Sequence, residues 1–345
     1  MSTLQIGLAI AGGATLAAVA AHGFWAARRN APRQPTAMKR PSGLPDPVEP
    51  GFRNSVFDRE NQSPLYPVRR PPMDSLLDVI ATLTLEGAGA KVSGETAVAA
   101  LPDTWRAGSK PFALEGFNLE TQVWEMPAAG QSYAAFQTGV QLTNRSGPLN
   151  DIEFSEFVVK TQAFGDAVNA TPDFPDMRDT VARARELDQF ASTHDARLGF
   201  LVRAKKASWS LGYVQQNAAS LGFIPGPIAG RMVLPGPIEA LAPLVAMGFD
   251  AQAAVAEDMT QFAIREINLQ LDVAQVDRGL YPYDRMRKAA QALARTMDGV
   301  VTDDNGQPLS EQTMDQIGVE LQSLYDSLEQ RDFAAGSALA RRLFS

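Results

Sequence analysis

From Ile267 to Val273 apolar and polar side chains alternate residue by residue, Ile-Asn-Leu-Gln-Leu-Asp-Val. A period of two belongs to a strand with one packed and one open face. It puts Leu269, Leu271 and Val273 on the packed side and Asn268, Gln270 and Asp272 on the open side. Tyr281-Pro282-Tyr283-Asp284 then reads as a turn and helix entry, with Asp284 placed for the helix dipole. Met286, Ala290, Leu293 and Met297 recur at helical steps and mark an amphipathic helix that stops at Asp298-Gly299. A short strand at Val300-Val301 runs into the turn cluster Thr302-Asp303-Asp304-Asn305-Gly306. Ser310 can cap a last helix, with Glu311 in its first turn and Met314, Ile317, Leu321, Leu324 and Leu328 as its stripe. Phe262–Leu328 is thus a strand-helix-strand-helix unit.

The same reading extends back along the chain. Leu198–Lys205, Arg231–Leu234 and Leu244–Phe249 read as further strands, and Tyr213–Leu221 as a helix stopped by Gly222. These complete an antiparallel sheet over residues 195–330. An earlier α+β unit spans residues 76–194. It has a strand at Val79–Leu85, a short helix from Gly94 to Leu101, a strand pair at Phe117–Met126 and Tyr133–Leu142, a strand at Phe154–Phe164, and a helix with Met177, Val181, Ala184 and Leu187 on one face. Phe174-Pro175 followed by Met177-Arg178 echoes Tyr281-Pro282 followed by Met286-Arg287. One explanation is an internal duplication; the other is chance likeness of two amphipathic helices. Residues 331–345 form a tail with a short helix near Arg341-Arg342.

Two segments precede the folded units. Leu4–Ala27 carries no charge and, at about 1.5 Å per residue, is long enough to cross a hydrocarbon core of about 30 Å. Arg28, Arg29, Arg33, Lys39 and Arg40 follow it, and residues 1–3 carry no charged side chain. The positive-inside rule then leaves residues 1–3 outside and the rest in the cytoplasm. A cleaved signal peptide needs its basic residues before the apolar run, not after. Residues 28–75 are rich in proline and without a sustained period. They read as a disordered tether with a reach of roughly 40 Å, whose basic start can meet anionic lipid headgroups.

Composition narrows the chemistry. The net charge of -8 argues against nucleic acid as the main partner. The chain has no cysteine and only two histidines, His22 and His194, so thiolate metal sites and a Ser-His-Asp triad are not expected. Asp303-Asp304 and Glu257-Asp258 are adjacent pairs whose side chains diverge on a strand, which suits no catalytic dyad. No cofactor, metal or catalytic residue is expected, and an enzyme is not.

The phrase Gly299-Val300-Val301-Thr302-Asp303-Asp304, followed by Pro308-Leu309-Ser310 and a helix, resembles the ending of the C-terminal domain of the bacterial cell-division ZipA family. The resemblance runs from about Ala196 to Leu328, and an anchor plus tether is what that family carries before this domain. It implies an α+β fold with helices on one sheet face and an open apolar face that binds the C-terminal tail of the tubulin-like division protein FtsZ. It further implies a single-pass inner-membrane adaptor at the division site. Gly230-Arg231-Met232-Val233-Leu234 aligns with a family strand and places Met232 and Leu234 on the binding face; Leu198 and Phe200 join them by parity, and Met247 and Phe249 by alignment. The family's groove aromatic falls at Gln270, so this groove is more polar. Two alternatives remain: a membrane-anchored envelope enzyme, and a scaffold whose sheet takes another peptide.

Overall fold

The computed structural model describes residues 72–87, 89–238, 241–249 and 263–345. They fall into two units. One holds the residues up to Asp195 together with Ala338–Ser345, and the other is Ala196–Ser337. The domain of Ala196–Ser337 is therefore inserted into the chain of the first, whose last helix comes from the C-terminus.

In the first unit the strands are β1 (Asp78–Leu85), β2 (Val92–Ser93), β3 (Arg106–Ala107), β4 (Lys110–Asn118), β5 (Trp124–Glu125), β6 (Ser132–Gln141), β7 (Thr143–Asn144), β8 (Gly147–Pro148) and β9 (Ala170–Asp173). The main sheet runs β3-β4-β6-β1-β9. Its helices are α1 (Gly94–Ala99), α2 (Asp151–Val168) and α3 (Met177–His194). The predicted strand at Phe154–Phe164 lies within α2. Phe154, Phe157, Thr161, Phe164 and Val168 are all buried, a spacing of three and four that fits a helix face better than a strand. Asn150 accepts the N–H groups of Ile152 and Glu153, and Glu153 returns a bond to the Asn150 N–H, a capping box that starts the helix firmly. The helix lies on the sheet: Phe164 meets Phe136 edge-on at 5.0 Å, and Thr161 and Thr138 share a hydrogen bond of 2.8 Å. The predicted strand at Phe117–Met126 is also displaced. Its partner strand to β6 is Lys110–Asn118, and the chain beyond turns at Gln122, which has positive φ.

The C-terminal helix α7 (Ala338–Leu343) completes this unit; α4 to α6 lie in the inserted unit. Ala340, Leu343 and Phe344 are buried. Arg342 pairs with Asp78, which is 2% exposed, and its carbonyl accepts Gln141 Nε2 at 2.9 Å. The tail is thus a structural element of a unit that begins more than 250 residues earlier, as the pair's sequence separation of 264 records.

In Ala196–Ser337 the strands are β10 (Arg197–Ala204), β11 (Ile224–Pro225), β12 (Arg231–Leu234), β13 (Val245–Gly248), β14 (Glu266–Asp272) and β15 (Gly299–Thr302). The sheet is antiparallel and runs β11-β12-β13-β14-β10-β15. Helices α4 (Leu211–Ser220), α5 (Pro282–Met297) and α6 (Glu311–Glu329) accompany it. Phe200 packs on Tyr283 of α5 at 6.1 Å. Trp209, fully buried, donates its ring N–H to the Met297 carbonyl at 2.8 Å. Tyr283 donates to the Met314 carbonyl at 2.6 Å, and burial pushes its hydroxyl pKa up to about 12. Arg287 spans Glu311 and Asp315, tying α5 to α6.

The two units share one connectivity. β1, β4, β6, α2, β9 and α3 of the first follow the order of β10, β13, β14, α5, β15 and α6 of the second, and β4-β6-β1-β9 matches β13-β14-β10-β15 in space. The match is close in detail. α2 ends at Asn169 (φ 54, ψ 52) and α5 at Asp298 (φ 55, ψ 51), each left-handed and each leading directly into the edge strand. The helix equivalent to α5 is therefore α2, not the Met177 helix that the sequence echo singles out.

The expected fold is corrected at the N-terminus. Among the described residues no helix is long and apolar enough to cross a membrane. Leu4–Ala27, and the tether up to residue 71, lie outside the described residues. The last residues of that expected tether belong to the first unit: Asp74 turns into β1, its carbonyl accepting the N–H groups of Leu77 and Asp78.

Candidate functional site

The face of the β10–β15 sheet turned away from α5 bears a groove of roughly 520 Å³. Residues paired across neighbouring strands point to the same face, so the registers sort the side chains. Phe200 pairs with Leu269, Leu269 with Met247, and Met247 with Met232. Phe200 faces Tyr283, so this whole row lies under the helix. The next row, Gly199–Gln270–Ala246–Val233–Ile224, lies on the other face. Beside it runs Leu201–Asn268–Gly248–Arg231.

The six residues expected to bind a partner are thereby placed. Phe200, Met232 and Met247 are 1%, 4% and 0% exposed and belong to the core. Leu234 pairs with Val245 in the same layer as Met232 and is half-buried. Phe249, half-buried, follows Met247 in parity and donates its N–H to the Gly230 carbonyl at 3.0 Å. Leu198 has the parity of Phe200, and of the six it borders the groove. The alternation of β14 is as the sequence predicts: Leu269 and Leu271 are buried and Gln270 is exposed. The phase of β10 is not legible from its own sequence, since Arg-Leu-Gly-Phe-Leu-Val-Arg-Ala has apolar residues at both parities. The register against Leu269 fixes the phase that the strand alone does not.

The groove is lined by apolar and polar residues in similar measure. Gly199 carries no side chain, and an added Cβ would meet an Asp304 carboxylate oxygen at 3.3 Å. Leu198, Ala242, Pro243, Ala246 and Leu271 line the groove on the apolar side, and Asn268, Gln270, Asp272, Gln275 and Asp304 on the polar side. Arg197 sits opposite Asp272, with a loose ion pair of 3.8 Å. Asn268 Oδ1 is buried with no hydrogen-bond partner among the described residues. At one end of the row Ile224 is 48% exposed beside half-buried Val233. Such a surface suits an extended peptide: aliphatic at one end, open at the middle, with an acceptor in its floor.

The carboxylates of the turn after β15 divide their roles. Asp303 Oδ1 accepts the N–H groups of Asn305 (2.9 Å) and Gln307 (2.8 Å) and so builds the turn. Asp304 projects over Gly199. Among the described residues no group of three His, Asp or Glu side chains converges as a metal site. The buried cluster of the first unit is a structural tie. Lys110 Nζ donates to Ser109 Oγ (2.8 Å) and Asn144 Oδ1 (3.1 Å), and Ser109 Oγ donates to Glu153 (2.6 Å). Burial lowers the Lys110 pKa. Burial raises that of Glu153, but the Ser109 hydrogen bonds, the Lys110 charge and the Asn150 N–H together outweigh it and leave the carboxyl below its usual range.

Part of the groove-bearing unit resembles a known family in sequence. Residues 250–319 match the family model described as ZipA, C-terminal FtsZ-binding domain. Of these, residues 263–319 are described, and they comprise β14, α5, β15 and the opening turns of α6. The resemblance read from Gly299–Asp304 and the helix after it is thereby shown. The match covers the strand at the centre of the ZipA-type sheet and the helix that backs it, but not β10 to β13, which supply the rest of the groove. A comparison with curated protein sequences returned no match.

Proposed function

We propose that the ZipA-type unit binds the C-terminal tail of FtsZ along the open face of its sheet, and that the protein is a non-catalytic adaptor of the division site. The observation that carries the reading is the conjunction of the ZipA family match with a groove on the face that α5 leaves uncovered. The binding residues belong to the Gly199–Gln270–Ala246–Val233–Ile224 row, not to the Phe200–Met232 row. The floor offers little apolar area, so a single contact is weak at about 25 cal/mol per Å² of buried apolar surface. A polymer presenting many tails to many adaptors offsets this through effective concentration.

Gln270 and Asp304 favour one competing reading, in which the same face takes a more polar peptide from another protein. Co-sedimentation separates the two. The full chain is expected to pellet with filaments of full-length FtsZ and to stay in solution with filaments lacking the C-terminal tail. Equal pelleting with both forms would exclude tail recognition.

A further inference from the structure

The shared connectivity lets the two open faces be compared residue by residue. In the first unit Thr82 pairs with Gln137 on one side and Asp173 on the other. In the second Leu201 pairs with Asn268 and Thr302. With these superposed, Ile80–Gly139–Ala113 corresponds to Gly199–Gln270–Ala246, and Glu115–Gln137 to Gly248–Asn268.

The first unit's face is occupied by its own chain. The Met73 sulfur stands where a Cβ on Gly139 would be. The Met73 N–H donates to Glu115 Oε1 at 3.4 Å, and the other oxygen of that carboxylate accepts Gln137 Nε2 at 2.7 Å. One residue thus supplies both an N–H to an acceptor on the sheet and an unbranched side chain to a spot without a Cβ.

The second unit has two comparable features, each shifted by one strand, since Gln270 stands in the place of Gly139 and Gly248 in that of Glu115. The spot without a Cβ is now Gly199, on the strand beside Gln270. The acceptor is Asn268 Oδ1, which has no hydrogen-bond partner among the described residues. Gly248, in the place of Glu115, leaves space: among the described residues nothing lies within 4 Å of where its Cβ would be. A buried acceptor without a donor is costly, and a ligand N–H relieves that cost.

We propose that this groove takes an extended segment through one anchoring residue, its backbone N–H received by Asn268 and its unbranched apolar side chain, as in methionine, laid beside the Asp304 carboxylate at Gly199, much as the first unit takes Met73. The inference rests on the tail-binding reading for the identity of the segment, which is the FtsZ tail. Met73 in turn fills the first unit's face, so that face is not a second tail site.

Calorimetric titration of the full chain tests this with two probes, a synthetic FtsZ C-terminal tail peptide and a synthetic copy of residues 66–75, which contains Met73. Asn268→Leu and Gly199→Val are each expected to weaken binding by about tenfold, the equivalent of roughly 1.4 kcal/mol. The double variant Asn268→Gln with Gly248→Glu, which transplants the Gln137–Glu115 pair, is expected to keep binding. Tail binding at wild-type strength by both Asn268→Leu and Gly199→Val overturns the inference and leaves the tail reading standing. Binding of the 66–75 peptide alone, lost in those variants, upholds the anchor and removes FtsZ as its source. Failure of both peptides to bind the wild-type chain overturns both.

Discussion

Phe200→Asp is expected to unfold the Ala196–Ser337 unit, whereas Ala246→Arg on the opposite face leaves it folded and abolishes tail binding. Phe200 is 1% exposed and packed between Leu269 and Tyr283. Truncating such a phenylalanine to alanine costs about 3–5 kcal/mol, and an unpaired buried carboxylate adds to that. A domain of this size has only about 5–15 kcal/mol to lose. Ala246 is half-buried in the groove floor, and an arginine there can reach solvent while its bulk blocks the Gly199–Gln270 strip. Circular dichroism melts together with tail-peptide titration read both effects. A folded Phe200→Asp chain that fails to bind, beside an Ala246→Arg chain that binds normally, would reverse the assignment of the two faces.

The second large effect comes from the C-terminus. Deleting Ala338–Ser345 is expected to destabilise the first unit and to spare the ZipA-type unit, although the deleted residues follow the latter in sequence. Leu343 and Phe344 are each 1% exposed, and burial of two such side chains is worth about 3–6 kcal/mol. The deletion also strips buried Asp78 of its Arg342 partner, which costs about 3–5 kcal/mol where a buried pair loses one member. A fall of roughly 10 °C or more in the melting transition of the first unit follows. Differential scanning calorimetry should show that transition shifted and the other unmoved. A deletion that moves neither transition, or only that of Ala196–Ser337, would contradict the placement of α7.

The two predictions mark where the sequence was legible and where it was not. The period-two run of β14 and the 3.6-residue stripes of α5 and α6 were readable because each buries one face, and Gly299–Asp304 carried the resemblance to the ZipA C-terminal domain. Phe154–Phe164 misled because a helix packed on an aromatic core and a buried strand are both dense in phenylalanine; the Asn150–Glu153 capping box was the signal that distinguished them. The groove was hidden for a different reason. Its floor includes what the strands lack, a glycine at 199 and an alanine at 246, and absence of bulk leaves no hydrophobic signal. The large residues that attract attention, Phe200, Met232 and Met247, serve the core. The role of Ala338–Ser345 was equally out of reach, since its contacts with Asp78 and Gln141 span most of the chain.

The central claim is that the sheet face turned away from α5 receives the FtsZ tail. It is tested most directly by following backbone amide resonances of the full chain as the tail peptide is added. The largest shifts are expected at Gly199, Ala246, Asn268 and Gln270, with α5, α6 and the first unit little changed. Shifts centred on α5 and α6, or none at saturating peptide, would contradict it.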